Sequence, residues 1–283
     1  MTASPRVAFQ GEPGAFSEEA ALGFFANPRP VALPTWRSVF ETVRDGGVDA
    51  GVAAIENSLA GSIRETYDLL AEFELQIVGA VSVPVLLALL ALPGQGLTDI
   101  DRVYSHAQAL AQADEFLRTR PWQVLTTYNT AGAARMIAER GEQGAAAVAS
   151  PRVAELYGLS VVAPNIQTGD GNRTRFVVLA RDALQPDWAR VAAADRPMMT
   201  TLVFAVRNVP GSLHRCLGAF ASRGLNLSRL ESRPSRATRW EYVFWVDLDA
   251  DAAAPETAAA LDELRGEAAM VRVLGSYARP LED

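Results

Sequence analysis

Strand-like and helix-like segments alternate along the first part of the chain, from Arg6 to Ala180. Short apolar runs, such as Val7 to Phe9 and Ala50 to Ile55, are each followed by a stretch with helical periodicity. This alternation is typical of an α/β unit. A second strand–helix series, from Arg102 to Val148, predicts a second lobe. The strand Thr174 to Ala180 could return to the first lobe and leave a cleft between the two.

Local signals within this region predict several element boundaries. Capping boxes at Ser38 to Glu41 and at Ser62 to Glu65 predict two helix starts, and Ser150-Pro151 predicts an N-cap followed by a first helical residue. The segment Ala107 to Leu117 is predicted to form one helix. The longest apolar run, Val83 to Leu92, is interrupted only by a proline and is predicted to be a buried strand.

The composition changes after residue 183. Residues 184 to 197 contain two prolines and several charges among alanines, which is typical of a linker. The order strand, helix, strand, strand, helix, strand then predicts a ferredoxin-like βαββαβ unit. Because Tyr242 to Val246 is apolar throughout, both faces of its sheet should be covered, and another subunit is one candidate for the second cover. The predicted elements are Thr201 to Val206, Ser212 to Arg223, Leu225 to Ser232, Trp240 to Asp247, Pro255 to Glu267 and Val271 to Tyr277.

The net charge and the small numbers of cysteine and histidine residues exclude several classes of protein. The formal net charge of −7 and the pI near 5.0 provide no general attraction to nucleic acid or to anionic lipid. The single cysteine, Cys216, excludes an internal disulfide, and two histidines are too few for a zinc site. The first residues lack a secretory signal, and no apolar run approaches the ~20 residues of a membrane helix. We therefore expect a cytoplasmic protein without a metal.

One motif, Gly169 to Phe176, combines a tight turn with a cluster of polar donors. Two glycines around an aspartate precede Asn172, Arg173, Thr174 and Arg175, which enter a strand together. Such a set of donors and cations suits an anionic substrate. The alternative is an ordinary sheet surface, where threonine and arginine are common.

Three other loops could converge on the same cleft. They are Ile55 to Ser62, Tyr104 to Leu110 and Tyr128 to Ala131, each between a strand and a helix, where free backbone amides can face an anion. Glu56 could equally face the substrate or pair with an arginine, and His106 could equally stack over its helix start or touch a ligand. The alternative for the hydroxyls is simple helix capping by Ser62, Ser105 and Thr130.

In their joint order, these motifs resemble those of prephenate dehydratases. The matching segments are Phe9 to Ser17, Ile55 to Ser58 with Gly61-Ser62, Ser105-His106 with Gln108 to Leu110, Asn172 to Phe176, and, in an ACT-like unit, Asn226-Leu227 with Glu231 to Pro234. The resemblance implies a two-lobed catalytic domain of the periplasmic-binding-protein type II kind at residues 1–183. Its lobes would be roughly 1–80 plus 166–183, and 81–165. A linker at 184–197 and an ACT regulatory domain at 198–283 would follow.

The resemblance also implies a reaction, in which prephenate loses carbon dioxide and water to give phenylpyruvate without a cofactor. Thr174 resembles the family's essential threonine and would hydrogen bond to the departing oxygen. Arg175 would pair with a substrate carboxylate, and Phe176 would pack beneath the site. The remaining candidate substrate contacts are Asn57, Ser58, Ser105, Gln108 and Thr130.

The ACT-like unit implies feedback inhibition by phenylalanine at an interface between subunits of a homo-oligomer, a dimer or tetramer held by both domains. The alternative for Glu231 to Pro234 is a simple strand end. The chain departs from the family pattern in the apolar segment Val78 to Leu90, where a glutamate and a histidine are often found, and at Pro210 to His214, where His214 could change the effector. The implied effector residues are Gly211, Ser212, Leu213, His214, Asn226, Leu227, Glu231, Ser232, Arg233 and Pro234.

Two other functions fit the same sequence. An arogenate dehydratase would run the same elimination on a substrate with an amine in place of the keto group. An amino-acid sensor would use the cleft and the ACT unit without catalysis, although it would have no need of Thr174 in its motif. Because the first strand begins near residue 6, we expect a monofunctional enzyme without a chorismate mutase segment.

Overall fold

The computed structural model describes residues 4–190, 196–234 and 242–280. The strands are β1 (Arg6–Gln10), β2 (Arg29–Leu33), β3 (Ala50–Asn57), β4 (Gly61–Ser62), β5 (Gln76–Pro84), β6 (Ala88–Ala91), β7 (Arg102–Ser105), β8 (Gln123–Thr126), β9 (Ala145–Ala149), β10 (Ser160–Ala163), β11 (Arg173–Ala180), β12 (Met198–Ala205), β13 (Leu227–Pro234), β14 (Tyr242–Leu248) and β15 (Met270–Ala278). The helices are α1 (Phe16–Phe24), α2 (Trp36–Arg44), α3 (Arg64–Glu72), α4 (Ala107–Gln112), α5 (Asp114–Leu117), α6 (Thr130–Arg140), α7 (Arg152–Tyr157), α8 (Ser212–Ala221) and α9 (Pro255–Glu267).

The first sheet has the strand order β2-β1-β3-β11-β5, with β4 paired to β3. Strand β1 is parallel to both β2 and β3, and α1 and α2 pack against β1 and β3. Along β3 every residue except Glu56 is buried, as expected for a strand covered on both faces. We call this sheet with α1 to α3 the first lobe.

The second sheet has the order β10-β6-β9-β7-β8. Strand β7 is parallel to β8 and β9, whereas β6 is antiparallel to β9 and β10. The core of this second lobe, which includes α4 to α7, consists largely of alanine, valine and leucine side chains. The expected two-lobed α/β architecture is therefore confirmed. The exact boundaries 80/81 and 165/166 stay a prediction.

The single strand predicted at Val83 to Leu92 is wrong. The run contains the end of β5 and all of β6, with a break at residues 85–87. Pro84 has no amide hydrogen with which to continue a ladder. The next amide, that of Val85, donates instead to the carbonyl of Asn172 at 2.8 Å. The chain thus crosses between the lobes at this point.

Two predicted helix starts also differ. Helix α2 begins at Trp36, with a reciprocal cap between Thr35 and Ser38, so the box expected at Ser38 to Glu41 is three residues too late. Helix α3 begins at Arg64 without a side-chain cap, because Ser62 is drawn into a short hairpin opposite Glu56.

Smaller differences concern the second lobe. The helix predicted from Ala107 to Leu117 is divided at Ala113 into α4 and α5. Helix α7 begins one residue later than expected, with Pro151 at the N-cap position rather than inside the helix.

The third sheet is antiparallel with the order β13-β14-β12-β15, and α8 and α9 pack together over one face. The predicted βαββαβ order is confirmed.

Strand β13 starts at Leu227 rather than Leu225, because the amide of Leu225 caps α8 by donating to the carbonyl of Phe220 at 3.1 Å. The predicted start of β14 at Trp240 and residues 191–195 of the predicted linker lie outside the described residues.

The opposite face of this sheet is covered within the chain at its centre. Trp245 is 2% exposed and Val203 is 3% exposed, although both point away from the helix-side cluster that contains Phe244 and Val246. The apolar pattern of β14 therefore does not require a second subunit as its cover.

The described chain divides into two compact units. One contains residues 4–74, 81–177 and 187–190, and the other contains 75–80, 178–186, 196–234 and 242–280. Across these residues no helix has both the length and the apolar character needed to cross a bilayer. Nor do any three histidine, cysteine, aspartate or glutamate side chains in the described ranges group as a possible metal site.

Candidate active site

A cavity of about 400 Å³ lies in the first unit, where β1, β2 and β3 end and β11 begins. Residues of both lobes line it, so the expected convergence of loops on a cleft is observed. The lining includes Gln10, Phe16, Ser17, Pro34, Trp36, Asn57, Glu65, Val85, Leu87, His106, Gln108, Tyr128, Asn129, Thr130, Thr174 and Phe176.

Thr174 and Asn57 form a buried pair at the wall of this cavity. Asn57 Nδ2 donates to Thr174 Oγ1 at 3.0 Å, and the two residues are 3% and 9% exposed, respectively. Asn57 Oδ1 accepts the backbone amides of Leu59 and Ala60 at 3.1 and 2.9 Å, which fixes the orientation of the side-chain amide. The Thr174 oxygen therefore acts as an acceptor toward Asn57, and its own proton is left to be donated into the cavity.

Asn172 completes this arrangement and was not among the site residues predicted from the sequence. Its Oδ1 accepts from Asn57 Nδ2 at 2.8 Å and from Ser58 Oγ at 3.4 Å. Asn172 is 4% exposed and does not line the cavity, so it supports Asn57 from behind. Its place in the Asn-Arg-Thr-Arg-Phe motif was the available sequence signal.

The structure corrects the role expected for Arg175. Successive side chains of a strand point to opposite faces, so Thr174 and Phe176 face the cavity while Arg173 and Arg175 face away. Arg175 Nη2 lies 3.3 Å from Glu56 Oε2 on that other face. This ion pair also decides the alternatives left open for Glu56, which contacts an arginine rather than the cavity.

Ser105 and Ser58 are also corrected as cavity contacts. Ser105 is fully buried, and its hydroxyl donates to the carbonyl of Val148 at 2.5 Å. Ser58 Oγ accepts the amide of Arg173 at 3.0 Å and thereby joins the end of β3 to the start of β11. Neither residue lines the cavity. Both hydroxyls hold backbone segments in place.

Gln108 and Thr130 line the cavity as expected, at the starts of α4 and α6. The N-caps are His106 and Asn129, so the alternative that Ser105 and Thr130 cap these helices is not observed. His106 Nδ1 accepts the amide of Gln108 at 3.3 Å, and Asn129 Oδ1 accepts the amide of Gly132 at 2.5 Å. A neutral His106 therefore carries its proton on Nε2.

The cavity lining contains one carboxylate, Glu65, and none of the arginines of the described chain. An anion there must be bound by neutral donors and by helix N-termini, whose free amides and dipoles favour negative charge. Helices α1 and α6 both start at the cavity, at Phe16 and Thr130. Val85 and Leu87 form an apolar wall where the sequence departs from the family pattern.

A second cavity of about 350 Å³ lies in the second unit at the start of α8. Four of the predicted effector residues line it, Gly211 to His214, and Gly211 adopts φ +81° as the N-cap. The sequence did not indicate the other lining residues: Val206, Arg207, Asn208, Val209, Tyr242 and Phe244.

The other predicted effector residues do not line this cavity. Asn226 Nδ2 donates to Asp249 at 2.7 Å, Leu227 packs against the helix-side core, and Glu231 forms an ion pair of 2.8 Å with Arg229. Ser232, Arg233 and Pro234 lie along β13, at one edge of the sheet. Within one chain, these residues are therefore separate from the α8 cavity.

Comparisons with known families divide the chain in the same order. The family described as prephenate dehydratase matches residues 7–184, and the family described as ACT domain matches residues 200–266. Together the two matches contain both cavities.

Individual relatives agree with these family matches. The chain is 39% identical to arogenate dehydratase/prephenate dehydratase 1, chloroplastic, of Arabidopsis thaliana, over 96% of this chain and 71% of that protein. It is similar to the structure of prephenate dehydratase in complex with L-Phe from Arthrobacter aurescens, with 32% identity, a TM-score of 0.84, and coverage of 97% and 90%. It also resembles GqqA, described as a novel type of quorum quenching acylases, with 36% identity, a TM-score of 0.84, and coverage of 96% and 97%.

Proposed function

The chain belongs to the prephenate dehydratase family, and from this premise we propose that it converts prephenate to phenylpyruvate in phenylalanine biosynthesis. The observation that carries the proposal is the bond from Asn57 to Thr174, which leaves the Thr174 proton available to the cavity. A group that donates to a departing oxygen is what this elimination requires.

The proposed chemistry is a fragmentation in which all bonds and electrons are accounted for. The bond from the ring to its carboxylate breaks, carbon dioxide leaves, and the released electron pair makes the ring aromatic. The ring hydroxyl departs with its own bonding pair and takes up one proton from the solvent, which makes it water. Thr174 Oγ1 hydrogen bonds to this oxygen as charge develops on it, while Asn57 holds the threonine hydroxyl in orientation.

The substrate carboxylates are proposed to bind at helix starts rather than at arginine. The amides at the beginnings of α1 and α6 supply donors, and Gln108 adds a neutral donor. Phe176 and Leu87 supply an apolar surface for the ring.

The proposal is tested by the formation of phenylpyruvate from prephenate by the purified protein. Turnover without added metal or cofactor is expected, with arogenate assayed in parallel. Failure of well-folded protein to convert either substrate would contradict the proposal and favour the sensor function.

Acylase activity, which the description of GqqA names, is supported less well by this geometry. An acylase nucleophile is normally hydrogen bonded to a base. In this cavity Ser17 donates its hydroxyl to the carbonyl of Gln10, and His106 Nδ1 accepts the amide of Gln108. The Ser17 hydroxyl and His106 Nδ1 are therefore both engaged in hydrogen bonds with backbone groups.

Arogenate is the second candidate substrate, and Glu65 is the observation that favours it. Glu65 is the acidic residue among those that line the cavity. Its carboxylate would attract the ammonium group of arogenate, which prephenate lacks.

Replacing Glu65 with glutamine is expected to lower the ratio of kcat/KM for arogenate to that for prephenate about five-fold, or ~1 kcal/mol. Glu74→Gln removes the same charge at a position that is exposed like Glu65 but lies outside the cavity lining, and it should leave the ratio within about two-fold because its charge does not face the substrate. The two substrates compared on all three proteins provide the measurement. Equal ratios for wild type and Glu65→Gln would exclude this role of Glu65.

We further propose that phenylalanine binds at the α8 cavity and inhibits the enzyme. Gly211→Ala should raise the half-inhibitory concentration five- to ten-fold, because an added Cβ is strained at φ +81° and would lie 3.1 Å from Arg215 Nη1. Gly224→Ala is the matched control, since Gly224 also has a positive φ, of +65°, but does not line the cavity. Rates are compared relative to those without phenylalanine. No inhibition of wild type well above millimolar phenylalanine would contradict this regulation.

Two further expectations from the sequence concern the oligomeric state and the cellular location of the protein. We propose a homo-oligomer, a dimer or tetramer, in which a neighbouring subunit supplies the Glu231 to Pro234 end of β13 to the effector cavity. Size measurement in solution tests the assembly. The cytoplasmic location stays a prediction.

A further inference from the structure

We propose that Tyr128 is a positioning residue that holds the mouth of the catalytic cavity closed over bound substrate. This inference rests on the proposed function. The Tyr128 hydroxyl donates to the carbonyl of Pro34, 94 residues away in sequence. Tyr128 follows β8 of the second lobe and Pro34 follows β2 of the first lobe, so the bond crosses between the lobes. Both residues line the cavity, and Tyr128 is 67% exposed.

Each end of this bond is attached to the start of a helix. Pro34 immediately precedes Thr35, the N-cap of α2, and Tyr128 immediately precedes Asn129, the N-cap of α6. The start of α6 is one of the places where the substrate anion is proposed to bind. Closing the bond therefore brings an anion-binding helix start and the facing lobe into one fixed arrangement.

The carbonyl of Pro34 is also contacted by a second cavity residue. Gln10 Nε2 donates to it at 3.4 Å from the end of β1. The acceptor is thus oriented from its own lobe, and the hydroxyl of Tyr128 supplies the contact from the other lobe.

A different set of contacts joins the same lobes away from the cavity lining. The Tyr157 hydroxyl donates to the carbonyl of Pro13 at 2.9 Å, and Arg152 pairs with the buried Glu18 at 2.7 Å. Arg135 lies 3.0 Å from Glu12. Burial raises the pKa of Tyr157, which keeps its hydroxyl protonated as a donor. These contacts can hold the lobes together while the bond at the mouth opens.

The chain therefore offers a matched pair of tests, Tyr128→Phe and Tyr157→Phe. Each removes one tyrosine hydroxyl that donates to a proline carbonyl of the other lobe and keeps the aromatic ring. Loss of one neutral hydrogen bond from the closed, substrate-bound state should raise KM about five-fold for Tyr128→Phe. Its kcat should change less than about two-fold, because the bound enzyme still closes. For Tyr157→Phe we expect KM within about two-fold of wild type.

Amide hydrogen exchange gives a readout that does not depend on turnover. Faster exchange in residues 29–36 and 127–132 is expected for Tyr128→Phe without ligand. An unchanged KM, an equal rise in KM for Tyr157→Phe, or unchanged exchange in these two segments would overturn the inference. If the wild type converts neither prephenate nor arogenate, the proposed function is overturned instead. The amide hydrogen exchange of Tyr128→Phe would then be the measurement that decides the role of Tyr128.

Discussion

Replacing Thr174 with valine is expected to lower kcat by about 100- to 1000-fold on the substrate that the wild type converts. Valine has nearly the shape of threonine but no hydroxyl, so the departing oxygen loses its donor. The amide of Asn57 loses its 3.0 Å acceptor at the same time. Because kcat reports the bound complex, KM should change much less than kcat.

Two variants separate this effect from a loss of folding. Thr174→Ser restores a hydroxyl and should recover activity to within about ten-fold of wild type. Thr119→Val removes a hydroxyl that donates to the carbonyl of Phe116 on the surface, and should leave kcat unchanged. Melting temperatures of the variants provide the folding control. If Thr174→Val kept more than a tenth of the wild-type kcat, the hydroxyl could not be the main donor to the leaving group.

The sequence contained enough information to predict that Thr174 and Phe176 share one face of a strand and that Arg175 lies on the other face. Strand side chains alternate between faces, so a strand that points Thr174 into the cavity must point Arg175 away from it. The match to the family motif does not take this alternation into account, and it therefore placed Arg175 beside the substrate. The ion pair of Arg175 with Glu56 follows directly from the pairing of β3 with β11.

Other features depend on pairings that local patterns do not contain. The hydroxyl of Ser105 can be buried because it donates to the carbonyl of Val148, 43 residues away in sequence. The hydroxyl of Tyr128 likewise donates to the distant carbonyl of Pro34. The predicted start of α2 was wrong for a different, local reason. Ser38 fits a capping box, but Thr35 caps the same helix because the chain becomes helical three residues earlier.

Replacing Gly275 with alanine is expected to lower the free energy of unfolding by about 3 kcal/mol or more, at the upper end of the cost of overpacking. Gly275 lies in β15, and a Cβ there would overlap the carbonyl oxygen of Ile77 and lie 2.9 Å from its carbon. The obstacle is backbone, so no side-chain rotation can relieve it. Arg272 Nη2 also contacts the carbonyl of Leu75 at 3.4 Å, so β15 must move from residues 75–77 as a whole.

Gly218→Ala provides the opposite expectation within the same unit. Gly218 lies inside α8, and a Cβ there meets no atom within 4 Å, so alanine should stabilise the helix by about 0.5–1 kcal/mol. Denaturant unfolding of both variants beside the wild type gives the comparison. A Gly275→Ala protein within 1 kcal/mol of wild type would mean that β15 does not approach Ile77 so closely. A large loss confined to Gly275→Ala would establish that the start of β5 packs directly on the ACT sheet.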